Sequence, residues 1–153
     1  MEHYLWSDGR NKLIDEIRRF QNGYTLGIGV DFTSPGVTGM LNKQAIYVAP
    51  SWGENLDVWD LLDRKLIHRF EHVHSEEITA VAITDDSHFI VSCSLDKSLA
   101  VWDFVNKRLF HRYENSHSAR ISSVATTSDS KYIISGSHDK TVAIWELKTR
   151  RLI

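Results

Sequence analysis

From Val37 onward the chain is a succession of short runs rich in β-branched and aromatic residues, each ended by Asp, Ser, Lys or Asn. The clearest are Ile78 to Ile83, Phe89 to Cys93 and Leu99 to Asp103, and after them Ile121 to Thr126, Tyr132 to Gly136 and Val142 to Glu146. A further run, Lys107 to Tyr113, follows the first set, and Arg64 to Phe70 precedes it. Runs this short and of this composition read as strands, and the polar breaks between them as tight turns.

The runs repeat. Trp59, Trp102 and Trp145 stand 43 residues apart, and His74 and His117, Asp86 and Asp129, Asp96 and Asp139, Lys97 and Lys140, and Val81 and Val124 keep the same interval. A fixed period of this size means one supersecondary unit used several times. Four strands fall in each period, which predicts an all-β chain built from four-stranded antiparallel blades, as in a propeller. A residue that recurs with the period serves the unit; one that breaks it is free to serve a partner.

The fixed points resemble those of the WD40 repeat family. Trp59-Asp60, Trp102-Asp103 and Trp145-Glu146 stand at strand ends, His74 and His117 stand where the family has the His of Gly-His, and Ser94-Leu95-Asp96-Lys97 and Ser137-His138-Asp139-Lys140 match its Ser-x-Asp turn. The resemblance runs from about Val37 to Ile153. It departs from the pattern at Val73 and Ser116, which replace the Gly before each His, and at Glu146, which replaces the last Asp.

The resemblance implies a hydrogen-bonded network inside each blade. Its members would be His74, Ser92 or Ser94, Asp96 and Trp102 in one copy, and His117, Ser135 or Ser137, Asp139 and Trp145 in the next, with Trp59 in the first. It also implies a narrow top face on which the side chain before each turn Asp is displayed, here Trp52, Leu95 and His138. A second column lies at the start of the inner strands: Thr38, then Glu77 and Thr79, then Arg120 and Ser122. Aromatic and Arg side chains around an apolar centre have the composition of binding hot spots, so a protein or peptide partner is expected there.

The first copy is degraded: Trp52-Gly53-Glu54 occupies the place of Leu95-Asp96-Lys97, so the turn Asp is missing and a weaker polar network is expected. The repeats divide at about 37–70, 71–113 and 114–153. Residues 1–36 stand apart and carry two readings. In one, Leu5 to Arg10 ends a blade remnant and Asn22-Gly23 turns into an outer strand. In the other, Leu13, Ile14, Ile17 and Phe20 share one face of a short capping helix.

Composition changes the picture little. The chain of 153 residues has a net charge of −2, which gives no general attraction to nucleic acid or anionic membrane. No apolar run is long enough for a spanning helix, and Met1-Glu2-His3-Tyr4 does not begin a secretory signal pattern. With one cysteine, Cys93, there is no internal disulfide, and its place within a strand predicts a buried thiol. These features favour an intracellular, cytoplasmic or nuclear, setting. Length is informative: three blades and a fraction fall short of the 4–8 blades of a propeller. The chain also ends inside an outer strand at Leu152-Ile153. The expectation is a partial, open array that belongs to a longer protein or is completed by another chain. Uncovered blade faces and strand edges favour self-association.

Candidate chemistry is scarce. His74, Asp96 and a serine could be drawn as a hydrolase triad, but the same set recurs 43 residues later, and catalytic constellations are not stamped once per repeat. His72 and His74 form a His-x-His pair that in a strand would point to one face, but no Cys pair supports a zinc site. The positions where one subset of the family places an adaptor-binding Arg hold Leu62, Val105 and Lys148. Neither a cofactor nor a catalytic residue is expected. The reading is a non-catalytic interaction scaffold that binds on its top face, the alternative being a regulatory or targeting fragment of a larger multidomain protein or enzyme.

Overall fold

A computed structural model describes residues 37–41, 44–51 and 54–153. Both readings of residues 1–36, and the placement of Trp52, lie outside the described residues. Those described form strands and no helix. Sheet one is β1 (Val37–Leu41), β2 (Gln44–Ser51), β3 (Asn55–Asp60) and β4 (Lys65–Phe70). Sheet two is β5 (Ile78–Ile83), β6 (Phe89–Ser94), β7 (Leu99–Asp103) and β8 (Arg108–Tyr113). Sheet three is β9 (Ile121–Thr126), β10 (Tyr132–Ser137), β11 (Val142–Glu146) and β12 (Arg151–Leu152). Each sheet is an antiparallel meander in chain order. β5 touches β9 on one side and β1 on the other, so the first strands are the inner ones.

The period seen in sequence is also a period of backbone shape. The non-glycine residues with positive φ fall into sets 43 apart: Arg64, Lys107 and Arg150; His72 and Asn115; Ser87 and Ser130; Lys97 and Lys140. All lie between strands. Tyr47, Ile90 and Ile133 sit across from Trp59, Trp102 and Trp145 respectively. A pairing irregularity immediately precedes Trp59 and Trp102; such bulges re-aim the side chain that follows.

Among the described residues the core is two slabs, each lying between neighbouring blades. In the first, Leu56 and Val58 of β3 meet Ala100 and Trp102 of β7, and Phe70 stands 4.9 Å from the Trp102 ring. In the second, Leu99, Val101 and Tyr113 of sheet two meet Ile133 and Trp145 of sheet three, with Tyr113 and Trp145 4.8 Å apart. Each blade thus offers a Leu/Val face to the tryptophan of the next. On the third blade the corresponding face is Val142 and Ile144, exposed at 71% and 41%, whereas Leu99 and Val101 are at 0%. That difference marks the array as open on this side.

Hydroxyls also join the blades. Thr79 donates to the Ile121 carbonyl (2.6 Å), Thr126 to that of Ile83 (3.0 Å), and the Asp86 amide to Ser130 Oγ (2.9 Å). Cys93 is fully buried, and burial pushes its thiol up to about 11, so it is an inert thiol at neutral pH.

Candidate functional site: the blade networks and the rim they hold

In the second blade a chain of donors runs through the sheet. Trp102 Nε1–H donates to Ser92 Oγ (3.1 Å), and Ser92 and His74 Nε2 are 2.8 Å apart. His74 Nδ1 lies 3.1 Å from Asp96 Oδ2 and 2.8 Å from Ser98 Oγ. One proton assignment satisfies all of these: Ser92 donates to Nε2, and Nδ1–H is shared between Asp96 and Ser98 in a neutral imidazole. Desolvation lowers the pKa of His74, consistent with that neutral form. Burial alone would raise the pKa of Asp96, but hydrogen bonds from the Ser98 hydroxyl (2.6 Å) and amide (2.9 Å), with His74 and the Ser75 amide, outweigh it and hold the carboxylate low. Arg112 adds a further donor to Asp96 Oδ2 (3.0 Å) and another to the Val73 carbonyl (2.7 Å), tying the outer strand to the segment that enters the blade.

The third blade repeats the arrangement. Trp145 donates to Ser135 (3.1 Å), Ser135 lies 2.8 Å from His117 Nε2, and His117 Nδ1 lies 2.9 Å from Asp139 Oδ2. Hydrogen bonding from Thr141, through its hydroxyl (2.5 Å), holds the Asp139 carboxyl well below the usual carboxylate range.

Several expected members take a different place. Ser94 and Ser137 are outside the His–Ser–Trp chain: each accepts from the amide of the turn Asp and donates to the backbone leading into its own blade, Ser94 to Glu76 and Ser137 to Ala119 and Arg120. Trp59 is buried, yet its indole N–H has no partner among the described residues. Ala49 stands where Ser92 and Ser135 stand in the later repeats, so the acceptor is gone. His72 and His74 do not share a face, because residues 71–77 form no strand. His72 is exposed near Glu54, while His74 points inward.

Two features escaped the sequence. Ser98 and Thr141 complete the networks; their signal was a hydroxyl two residues after each turn Asp, the pattern of an Asx turn. The other is a buried ion pair in the degraded first blade. Asp57, fully buried, accepts two hydrogen bonds from Arg69, from Nε at 2.6 Å and from Nη2 at 2.7 Å. The hydrogen bond it donates to Asp57 raises the pKa of Arg69 further. Arg69 is the repeat equivalent of Arg112, and Gly53 replaces the Asp that Arg112 holds. Asp57, where later blades have Ala100 and Ala143, supplies the lost carboxylate from a neighbouring strand.

The networks fix a rim. The Leu95 amide donates to the Glu77 carbonyl (3.0 Å) and the His138 amide to the Arg120 carbonyl (3.1 Å), so in the second and third blades the two expected columns meet as side-by-side pairs. Glu77, Arg120, His138 and Ser122 are exposed and Leu95 half-buried. Thr79 is the exception: it is half-buried and its hydroxyl is consumed by Ile121 of the next blade.

A model of the family described as WD domain, G-beta repeat matches residues 64–103 and 108–146. The chain belongs to the WD40 repeat family. Repeats of this family generally serve as protein-interaction scaffolds. The solved structure of U3-55K superposes with a TM-score of 0.69 at 16% identity, covering 76% of this chain and 37% of that one. At that identity the likeness is one of fold, and this WD40 chain spans little more than a third of the other's length. No curated protein matched it.

Proposed function

We propose that this chain is a non-catalytic interaction scaffold that holds a protein or peptide on the rim formed by Glu77, Leu95, Arg120 and His138, with Trp52 as the corresponding residue of the first repeat. The observation that carries the reading is the pairing of Leu95 with Glu77 and of His138 with Arg120 by backbone hydrogen bonds. It sets chemically different side chains side by side on a frame braced by the buried networks. Rigid placement of an Arg beside an aromatic imidazole and an apolar neighbour suits recognition with little ordering cost. The triad-like sets support scaffolding over hydrolysis. Ser92 and Ser135 are fully buried, and each hydroxyl is engaged on both sides, by a histidine and by an indole.

A census of proteins that copurify with the wild-type chain and with an Arg120→Glu, His138→Ala variant tests this. A partner retained by the first and lost by the second, with the circular dichroism of the two unchanged, is the expected result. Equal retention by both, or hydrolysis of an ester or peptide that depends on His74 or His117, overturns the reading. The exposed Val142 and Ile144 favour a second setting for the same rim, within a larger multidomain protein.

A further inference from the structure

A pocket of about 580 Å³ opens on the uncovered side of the third blade, beside the Asp139 turn. Ser116, His117, Asp139 and Thr141 make its polar end, and Val142 and Leu152 its apolar one. It is separate from the rim, for neither Arg120 nor His138 lines it.

The second blade shows what fills the equivalent place. Its counterparts of Ser116, Asp139 and Thr141 are Val73, Asp96 and Ser98. There the Arg112 guanidinium spans all three: Nη1 donates to the Val73 carbonyl (2.7 Å), and Nη2 to Asp96 Oδ2 (3.0 Å) and Ser98 Oγ (3.3 Å). The first blade puts Arg69, from the same outer-strand position, on Asp57. Each arginine precedes an aromatic, in His68-Arg69-Phe70 and His111-Arg112-Tyr113. Phe70 pairs with Leu56 and Tyr113 with Leu99, covering a residue that is fully buried in both blades.

The third blade has the same acceptors. Asp139 Oδ2 lies 2.9 Å from His117 Nδ1 and accepts from the Ser118 amide (3.1 Å), as Asp96 Oδ2 does with His74 and Ser75. Among the described residues no arginine reaches it. Hydrogen bonding from Thr141 keeps it ionised at neutral pH. Lys97 also borders the pocket, and forms no ion pair with Asp139 among the described residues. On its outer side β11 is paired at Trp145 and Glu146, and Ile153 donates to the Ile144 carbonyl. Val142, the counterpart of Leu99, is exposed. A strand edge, an apolar position and a set of guanidinium acceptors therefore lie side by side.

We propose that this pocket binds an arginine of another polypeptide, carried on an extended segment in which an aromatic residue follows it. The segment pairs along the edge of β11 at Val142 and Ala143. Its guanidinium bridges the Ser116 carbonyl, Asp139 and Thr141, and its aromatic side chain covers Val142. A planar fork meets acceptors spread in this way, and a lysine ammonium does not.

Fluorescence polarisation with the 153-residue chain tests it, using a peptide that begins His-Arg-Tyr and is labelled at its other end. Saturable binding is expected, weakened about tenfold or more when lysine replaces the arginine or alanine the tyrosine. Asp139→Asn should weaken it as much. Val142→Lys, on an exposed side chain that leaves the blade network intact, should do so with unchanged circular dichroism. Absence of binding, equal binding of the arginine and lysine peptides, or affinity unchanged in Val142→Lys or in a folded Asp139→Asn variant overturns the proposal. Self-association of the chain that is lost in Asp139→Asn seats a second copy in the pocket and overturns it too.

Discussion

Trp59 and Trp102 are equivalent residues of successive repeats, buried at 5% and 7%, and differ in hydrogen bonding: Trp102 has an acceptor and Trp59 has none among the described residues. Replacing each by Phe separates the worth of the ring from that of the hydrogen bond. The loss of ring volume is common to both. In Trp102→Phe, the fully buried Ser92 oxygen loses its donor, which costs about 1–3 kcal/mol. In Trp59→Phe, a buried donor that lacks a partner among the described residues is removed, which relieves a penalty of similar size. Trp102→Phe should therefore be the more destabilising by about 2–6 kcal/mol, roughly 4–24 °C in Tm for a chain of this length. Circular-dichroism melts of the variants measure the gap. In a Ser92→Ala background the Trp102→Phe change should cost no more than Trp59→Phe. Equal shifts in the two single variants would refute the assignment of the indole–serine bond as the stabilising element.

Three more expectations follow from the geometry. His74 is held neutral with a lowered pKa, so its contribution is complete above its ordinary value of about 6.5 and is lost as pH falls below it, when the unfolded chain takes up a proton that the folded one refuses. The lowered carboxyls Asp96 and Asp139 add a second loss as pH falls through the carboxylate range, so Tm should decline in two stages on acidification, and His74→Gln should flatten the first. Arg69→Met strands the buried Asp57 and should cost about 3–5 kcal/mol, whereas adding Asp57→Ala, the residue type of the later blades, should restore most of it; a double variant as unstable as the single would refute the compensation. Val142→Lys with Ile144→Lys should reduce self-association in light scattering across a concentration series, and unchanged scattering would place the sticky surface elsewhere.

Much of the fold was legible because its period is carried by whole strands: the sequence runs from Ile78 to Glu146 coincide with β5 to β11 to within a residue. The network serine was not legible, for a geometric reason. Ser92 and Ser94 lie two apart on one strand and point to the same face, so alternation cannot choose between them; their distances to His74 and to the turn do. Asp57 was hidden for another reason. Its partner Arg69 is twelve residues away across β3 and β4, and a break in the repeat looks the same in sequence whether it serves a ligand or repairs the blade.

The two sides of a blade differ chemically, a Leu/Val surface on one and a tryptophan on the other, and this difference gives the array a direction. The Val142–Ile144 surface matches the tryptophan side of an incoming blade, and it has no such relation to another Val142–Ile144 surface. Contacts of this kind are heterologous, and they either close into a ring or continue without limit. A blade docked on this face would sit on the third as the third sits on the second, and the angle between successive blades would set how many complete a turn.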